Sequence, residues 1–149
     1  MGLETERKFL VKGSFIEYAS GSKEIIQAYL AAGPEKAIRL RIAGEEAWLT
    51  VKSGSESGSI SRGEWEYSIP VNEAIEMLPL CIPGKIVKTR YFVPAGKHTW
   101  EVDVFHDRNE GLVIAEIELG TDDESFEKPG WLGEEVTGNP AYYNSNLVK

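Results

Sequence analysis

Nearly every strand-like run in this chain carries two charged or polar residues spaced two apart, with apolar residues between and beside them. Glu4 and Glu6 are followed by Lys8; Arg39 and Arg41 alternate with Ile38, Leu40 and Ile42; Thr50 and Lys52 sit beside Leu49 and Val51. Further along come Glu64 and Glu66 among Trp65, Tyr67 and Ile69, Lys88 with Arg90, Glu101 and Asp103 among Trp100, Val102 and Val104, and Glu116 and Glu118 among Ala115, Ile117 and Leu119. Side chains two apart share a face only in extended chain, so this period calls for β-strands with one apolar and one charged face.

The alternation predicts strands over 3–11, 24–31, 36–43, 46–53, 63–70, 86–93, 98–106 and 112–119. The connections are short and the Gly44 turn reads as a hairpin, which favours antiparallel neighbours over crossover helices. Helical signals are brief. Asn72 reads as an N-cap for a short helix stopped at Pro79, Thr121 or Asp122 as the cap of another ending near Pro129, and Asn139-Pro140 as the start of a helix over 141–148. A single turn is expected after Ser14, and the Ser- and Gly-rich stretch 53–63 is expected to be a mobile loop. The class is α+β, mostly β, with residues 1–149 forming one domain.

At 42% hydrophobic and 27% charged, the 149 residues can bury a core, which excludes widespread disorder. A formal charge of −8 argues against extended contact with a nucleic-acid backbone, while leaving room for a local basic pocket. Cys81 is the single cysteine, so no internal disulfide and no cysteine-based zinc site can form; beside Pro79 and Pro83 it reads as a small packing residue. With neither a leader pattern nor a long apolar run, the expectation is a cytoplasmic protein that needs no membrane. His98 and His106 are too few for a zinc triad and read as loop or solvent residues. Trp48, Trp65, Trp100 and Trp131 are expected to cover the outside of the sheet. Neither a Walker-type loop nor a Ser-His-Asp set is present.

Two architectures satisfy this pattern. Like charges two apart on a strand lie about 7 Å from each other and repel by roughly 2 kcal/mol at an effective dielectric near 20, much less in open water. The doublets can therefore be the solvated outer faces of a sandwich, paired across strands. Alternatively, the sheet closes with its charged face inward. Basic groups then suit a polyanion and carboxylates suit a hard divalent cation, making a polyphosphate with its metal the natural guest.

Glu4-Thr5-Glu6-Arg7-Lys8-Phe9-Leu10-Val11 resembles the N-terminal ExExK signature of the CYTH, or triphosphate tunnel metalloenzyme, superfamily. The resemblance continues in order through Gln27–Leu30, Arg39–Arg41, Thr50–Lys52, Glu64–Glu66, Lys88–Tyr91, Trp100–Phe105, Ala115–Leu119 and Trp131–Thr137. It implies a closed eight-stranded antiparallel β-barrel with a polar, charged lumen and a few short covering helices. It also implies metal-dependent hydrolysis of a triphosphate, above all inorganic tripolyphosphate to pyrophosphate and phosphate. Alternatives within the superfamily are adenylate cyclase and nucleoside or thiamine triphosphatase; outside enzymes stands a non-catalytic polyphosphate-binding module.

The same resemblance assigns roles. Lys8, Arg39, Arg41, Lys52, Lys88 and Arg90 would bind substrate phosphates, and Glu64 and Glu66 would support those cations. Asp103, Glu116 and Glu118 would hold one Mg²⁺ or Mn²⁺, and Glu4 and Glu6 a second ion that orients the attacking water. Lys88 is also a candidate for proton transfer, and Tyr29 for orienting water or phosphate. Glu101 is read as a rim or outer carboxylate. The expected partner is a small-molecule triphosphate, with no nucleic acid required, and an apolar exterior makes a homodimer reasonable. The C-terminal helix would plug one tunnel end.

Overall fold

A computed structural model describes residues 2–54, 61–143 and 147, with side chains for 5–54, 62–143 and 147. Nine strands form one antiparallel sheet: β1 (Gly2–Val11), β2 (Gly21–Ala31), β3 (Lys36–Ala43), β4 (Glu46–Ser53), β5 (Ser61–Ile69), β6 (Ile86–Ala95), β7 (His98–Phe105), β8 (Val113–Glu118) and β9 (Leu132–Glu135). The order is β5-β4-β3-β2-β6-β7-β8-β1-β9. One edge of β1 runs along β8 from Glu6 to Leu10. Its first residues, Gly2–Thr5, also pair with Ser61–Glu64 of β5, and Phe9 and Val11 pair with β9. The β3–β4 and β6–β7 hairpins turn at Gly44 and Gly96, both at φ +64, where a Cβ would be strained.

Strand expectations hold to within a few residues, and 36–43 and 46–53 coincide with β3 and β4. The helical ones need correction. The short helix α1 (Val71–Met77) starts at Pro70, not Asn72, because the Pro70 carbonyl accepts from the backbone N–H groups of Glu73 and Ala74. Pro79 does not end the structure but sits in a following 3-10 turn, Leu78–Leu80. No helix forms after Thr121. Its hydroxyl donates to Asp123 and the Gly120 N–H donates to Glu124, so side chains take the backbone's place in a local turn. The single turn after Ser14 is present as Ile16–Tyr18. Asn139 does cap, its Oδ1 accepting from the Ala141 N–H at 3.1 Å, but the capped element is a 3-10 turn, Pro140–Tyr142. Residues 144–146 and 148 of the helix expected over 141–148, and residues 55–60 of the expected loop, lie outside the described residues. β9 has no counterpart among the expected strands: Leu132-Gly133-Glu134-Glu135 is too short to show alternation.

The apolar face of β1, β6, β7 and β8 carries the main core, with Phe9, Val93, Trp100, Val102, Ala115 and Ile117 covered by Phe15, Trp131 and Leu132. Trp100 is fully buried and makes edge contacts with Phe9, Phe126 and Trp131 at 5.5, 5.8 and 5.7 Å. The irregular segment 121–131 thus lays aromatic rings across this face. A second cluster, Tyr29, Ala37, Ile86, Phe105 and Ile114, lies on the opposite face and packs against Leu112, Tyr142 and Leu147.

Candidate active site

Antiparallel partners point the same way, so the registers decide which charged side chains share a face. Lys8 is opposite Glu116, Glu6 opposite Glu118, and Glu116 opposite Glu101. Arg90 faces Asp103, Arg41 faces Gln27, and Arg39 faces both Tyr29 and Thr50. Thr50 faces Glu66, Lys52 faces Glu64, and the Glu4 backbone pairs with Arg62. Every charged doublet residue named from the sequence whose side chain is described therefore lies on one face, and it is the face of the Tyr29–Phe105 cluster.

The centre of this face is buried and ionic. Asp103, 1% exposed, accepts from Lys88 Nζ at 2.6 Å and from Arg90 Nε and Nη2 at 2.7 and 2.9 Å. Burial alone would raise the Asp103 pKa, but Lys88 and Arg90 outweigh it and hold the carboxyl well below the usual range. Lys88 has no exposed surface and lies 5.4 Å from the centre of the Phe105 ring. Burial, reinforced by Arg90 and Arg41 and opposed by Asp103, pulls its ammonium down to about 7. Arg90 also lies 3.3 Å from Glu101 and 3.8 Å from Glu116. Its pKa is raised despite burial, because Asp103 dominates.

Around this centre the other cations have lighter partners. Lys8 lies 3.5 Å from Glu116 and donates to the Tyr142 carbonyl at 3.2 Å, with the Tyr143 ring 5.6 Å away. Burial would lower its pKa, but Glu116 and Glu6 raise it; reciprocally, burial would raise Glu116, and Lys8 and Arg90 pull it down. Lys52 sits 3.6 Å from Glu64 and Arg39 4.0 Å from Glu66, whose Oε2 also accepts from Thr50 at 3.1 Å. Arg41, lowered to about 10 by burial and by its neighbours Arg39 and Arg90, donates its Nε to Gln27 Oε1 at 3.2 Å. A cavity of about 30 Å³ opens among Glu6, Lys8, Tyr29, Ala37, Arg39, Lys52, Arg62, Glu116 and Tyr143. A larger groove, about 900 Å³, lies away from this face beside Gly13, Val93, Glu127 and Trp131 and contains none of these cations.

Among the expected site residues whose side chains are described, all fall on this face; the Glu4 side chain is outside the description. Further residues join them. Arg62 lies hidden in a segment that reads as loop, Gln27 and Thr50 carry no charge, and Glu101, expected at the rim or outside, lies 3.3 Å from Arg90 on the charged face with 42% of its side chain exposed, which overturns the outer reading and keeps the rim one. Trp48 corrects another expectation, because opposite Arg41 and Ser68 it shares the charged face instead of covering the outside. His106 and His98 do stand apart from the site, bonded to Thr89 at 2.7 Å and Glu124 at 2.6 Å.

The donor set suits a hard divalent cation. Glu6 and Glu118 face each other in register, an arrangement of like charges that a cation between them would relieve. Asp103 is less available, since both of its oxygens are already bonded. As arranged, no three His, Cys, Asp or Glu side chains among the described residues form a cluster able to hold a metal.

The sequence and the fold both have relatives among known proteins. The chain is 49% identical to an inorganic triphosphatase of Acetivibrio thermocellus, covering 100% of this chain and 95% of that one. It is 35% identical to an inorganic triphosphatase of Nitrosomonas europaea, over 97% and 96%. A crystal structure of an inorganic triphosphatase superposes with a TM-score of 0.66 at 31% identity, covering 97% of both chains. At 13% identity and a TM-score of 0.64, over 78% of this chain and 80% of the other, a putative adenylyl cyclase of Hippeastrum shares the fold. The CYTH domain model matches residues 2–146, so with its ExExK strand and single charged face this chain belongs to the CYTH domain family.

Proposed function

We propose that the chain is a metal-dependent inorganic triphosphatase that hydrolyses tripolyphosphate to pyrophosphate and phosphate inside a closed β-barrel. The pairing of β1 with β5, which joins the two ends of the eight-strand run, supports closure with the charged face inward. The observation that carries the function is the convergence of Lys8, Arg39, Arg41, Lys52, Lys88 and Arg90 on that one face beside Glu6, Glu116 and Glu118. The triphosphatase names of the relatives at 49% and 35% identity support the same reading.

In this reading water attacks the terminal phosphorus, the bridging P–O bond breaks, and pyrophosphate leaves with the electron pair. Catalysis of such a step is mainly positioning and charge neutralisation. Arg39, Arg41 and Arg90 grip phosphate oxygens through planar forks, and Lys8, Lys52 and Lys88 act as point charges. Asp103 anchors Lys88 and Arg90 so that they are oriented before substrate arrives. Glu64 and Glu66 do the same for Lys52 and Arg39, and Tyr29 orients phosphate or water beside Arg39. Lys88, with its lowered pKa, can pass a proton to the leaving oxygen. Glu6, Glu116 and Glu118, with Glu4, would hold Mg²⁺ or Mn²⁺. A bound metal supplies charge neutralisation at phosphate oxygens and lowers the pKa of water.

The test is phosphate release from tripolyphosphate, pyrophosphate, ATP and thiamine triphosphate, each with Mg²⁺, Mn²⁺ or EDTA. Metal-dependent release from tripolyphosphate supports the reading, and binding without release refutes it in favour of a silent anion binder. One observation favours a second reading: Trp48, on the charged face beside Arg41, gives a nucleotide base a ring to stack on. Preferential turnover of ATP would establish that alternative, with ADP marking a hydrolase and cyclic AMP a cyclase.

A further inference from the structure

Gln27 and Thr50 are uncharged polar residues that the charged face buries completely, and Gln27 is the one left with an unsatisfied donor. It has no exposed surface, and its neighbours across β2 are Arg41 on β3 and Ile86 on β6. Its two amide ends are treated differently. Oε1 accepts from Arg41 Nε at 3.2 Å, whereas Nε2 is buried with no hydrogen-bond partner. Two residues along the same β2–β3 ladder, at the next position on this face, Arg39 Nε is buried and unpartnered as well. Buried donors are almost always satisfied in folded proteins, and leaving one bare is costly. Two bare donors at successive positions on one cationic face mark a place where an acceptor-only group belongs.

The side-chain chemistry is specific. Glutamate at 27 would pair with Arg41 but turn a second carboxylate oxygen toward the substrate space. Lysine or arginine would repel Arg41, which already lies among cations and is lowered to about 10 by burial, Arg39 and Arg90. An amide alone offers an acceptor to a guanidinium and a donor to an anion without adding charge. Taking its Nε in a bond to Gln27 leaves the two terminal nitrogens of Arg41 for bidentate contact with phosphate.

We propose that Gln27 is a substrate-binding residue of the triphosphate site, its Oε1 fixing the Arg41 fork and its Nε2 donating to a phosphate oxygen of the same anion. The inference rests on the triphosphatase reading and extends it to a residue that charge pattern does not reveal.

The experiment compares wild type with Gln27→Glu and Gln27→Met. Three quantities are measured: kcat and KM on tripolyphosphate with saturating Mg²⁺, the tripolyphosphate Kd by titration calorimetry in EDTA, and Tm. Gln27→Glu keeps the size and the Arg41 acceptor but loses the donor; Gln27→Met keeps the volume and loses both contacts. Loss of a hydrogen bond to a charged ligand predicts a Kd about ten- to a hundredfold weaker in both variants, with KM rising in step. Gln27→Glu should melt at or above the wild-type temperature because it gains an ion pair with Arg41. A Gln27→Glu protein with wild-type Tm and a Kd within twofold of wild type overturns the proposal. Should that variant fail to fold, Gln27→Met with unchanged Kd overturns it equally. Lack of turnover by wild type would refute the triphosphatase reading, while the calorimetric comparison would still decide whether Gln27 binds the anion.

Discussion

Replacing Asp103 by asparagine removes the charge on which the buried centre depends. The carboxylate makes three charge-assisted contacts, at 2.6 Å to Lys88 and at 2.7 and 2.9 Å to Arg90, with 1% of its surface exposed. Breaking one side of such a buried pair typically costs about 3–5 kcal/mol, because the other side is left desolvated and uncompensated. Here two cations lose their closest counter-charge, but Arg90 keeps Glu101 at 3.3 Å and Glu116 at 3.8 Å, and Lys88 can escape by losing its proton. Lys88 is already down to about 7 with Asp103 present; without that carboxylate its pKa falls further and it sheds its proton at neutral pH. That places the loss near the lower end, about 3 kcal/mol, or on the order of 10 °C in Tm for a chain of this size. The amide oxygen of Asp103→Asn can still accept one bond from Arg90, so collapse is not expected. The assay is thermal unfolding at pH 7 in EDTA, repeated with tripolyphosphate, which brings negative charge back to the same cations. The ligand should raise the Tm of the variant more than that of wild type. A variant melting within about 2 °C of wild type, or one that gains no more from the anion, would refute Asp103 as the counter-charge of the site.

Trp100→Ala, emptying a fully buried site ringed by Phe9, Phe126 and Trp131, should cost about 3–5 kcal/mol in urea unfolding, while kcat per folded molecule stays unchanged. On the same side Arg7 pairs with Glu135 at 2.6 Å, and the hydrogen bond from Arg7 holds the Glu135 pKa below the usual 4.5. Because that pKa is lowered on folding, the stabilisation is present at neutral pH and lost as pH falls through the folded value; Glu135→Gln should cost up to about 1 kcal/mol at pH 7 and progressively less as the medium is acidified, read by denaturant titration over a pH series. Mg²⁺ or Mn²⁺ at about 100 times its Kd should stabilise the wild type by about 2.7 kcal/mol, visible as a Tm shift reversed by EDTA. Glu6→Gln combined with Glu118→Gln should abolish that shift and turnover while tripolyphosphate binding in EDTA persists.

Most of the sheet and most of the site are legible in the sequence for one reason, the period of two. Wherever a strand alternates, the same pattern that places Leu40 in the core places Arg39 and Arg41 on the other face. What the pattern does not carry is anything set by partners distant in sequence. β9 is four residues held by β1, and Gly133 lies against the Leu10 backbone, where a Cβ would come within 2.8 Å of its carbonyl oxygen. The helix expected after Thr121 loses to aromatic packing: Phe126 and Trp131 must cross the face of Trp100, and a local side-chain turn at Gly120–Glu124 serves that better than helical bonds. Arg62 escapes notice because Ser and Gly around it read as loop, although its register with Glu4 places it on the charged face. Gln27 escapes because an uncharged amide among aliphatic residues has no distinctive pattern, and Trp48 because a tryptophan at an alternating position reads as cover.

On the triphosphatase reading, the charge balance of that face predicts that anion and metal bind cooperatively. Lys8, Arg39, Arg41, Lys52, Arg62, Lys88 and Arg90 share it with Glu6, Glu64, Glu66, Glu101, Asp103, Glu116 and Glu118. A face carrying cations alone would repel itself apart in the absence of substrate, and acids at 2.6 to 4.0 Å are what hold it ready. The same acids leave the face nearly neutral, so a polyanion arriving alone must compete with Asp103, Glu116, Glu64 and Glu66 for cations they already hold. Glu116 lies 3.5 Å from Lys8 and 3.8 Å from Arg90, so a divalent cation held by the carboxylates, Glu116 above all, would leave those two cations to the phosphates. Each ligand removes the competitor of the other, and linkage makes the effect reciprocal. Tripolyphosphate should therefore bind more tightly with metal than in EDTA, and the metal more tightly with tripolyphosphate, by the same factor.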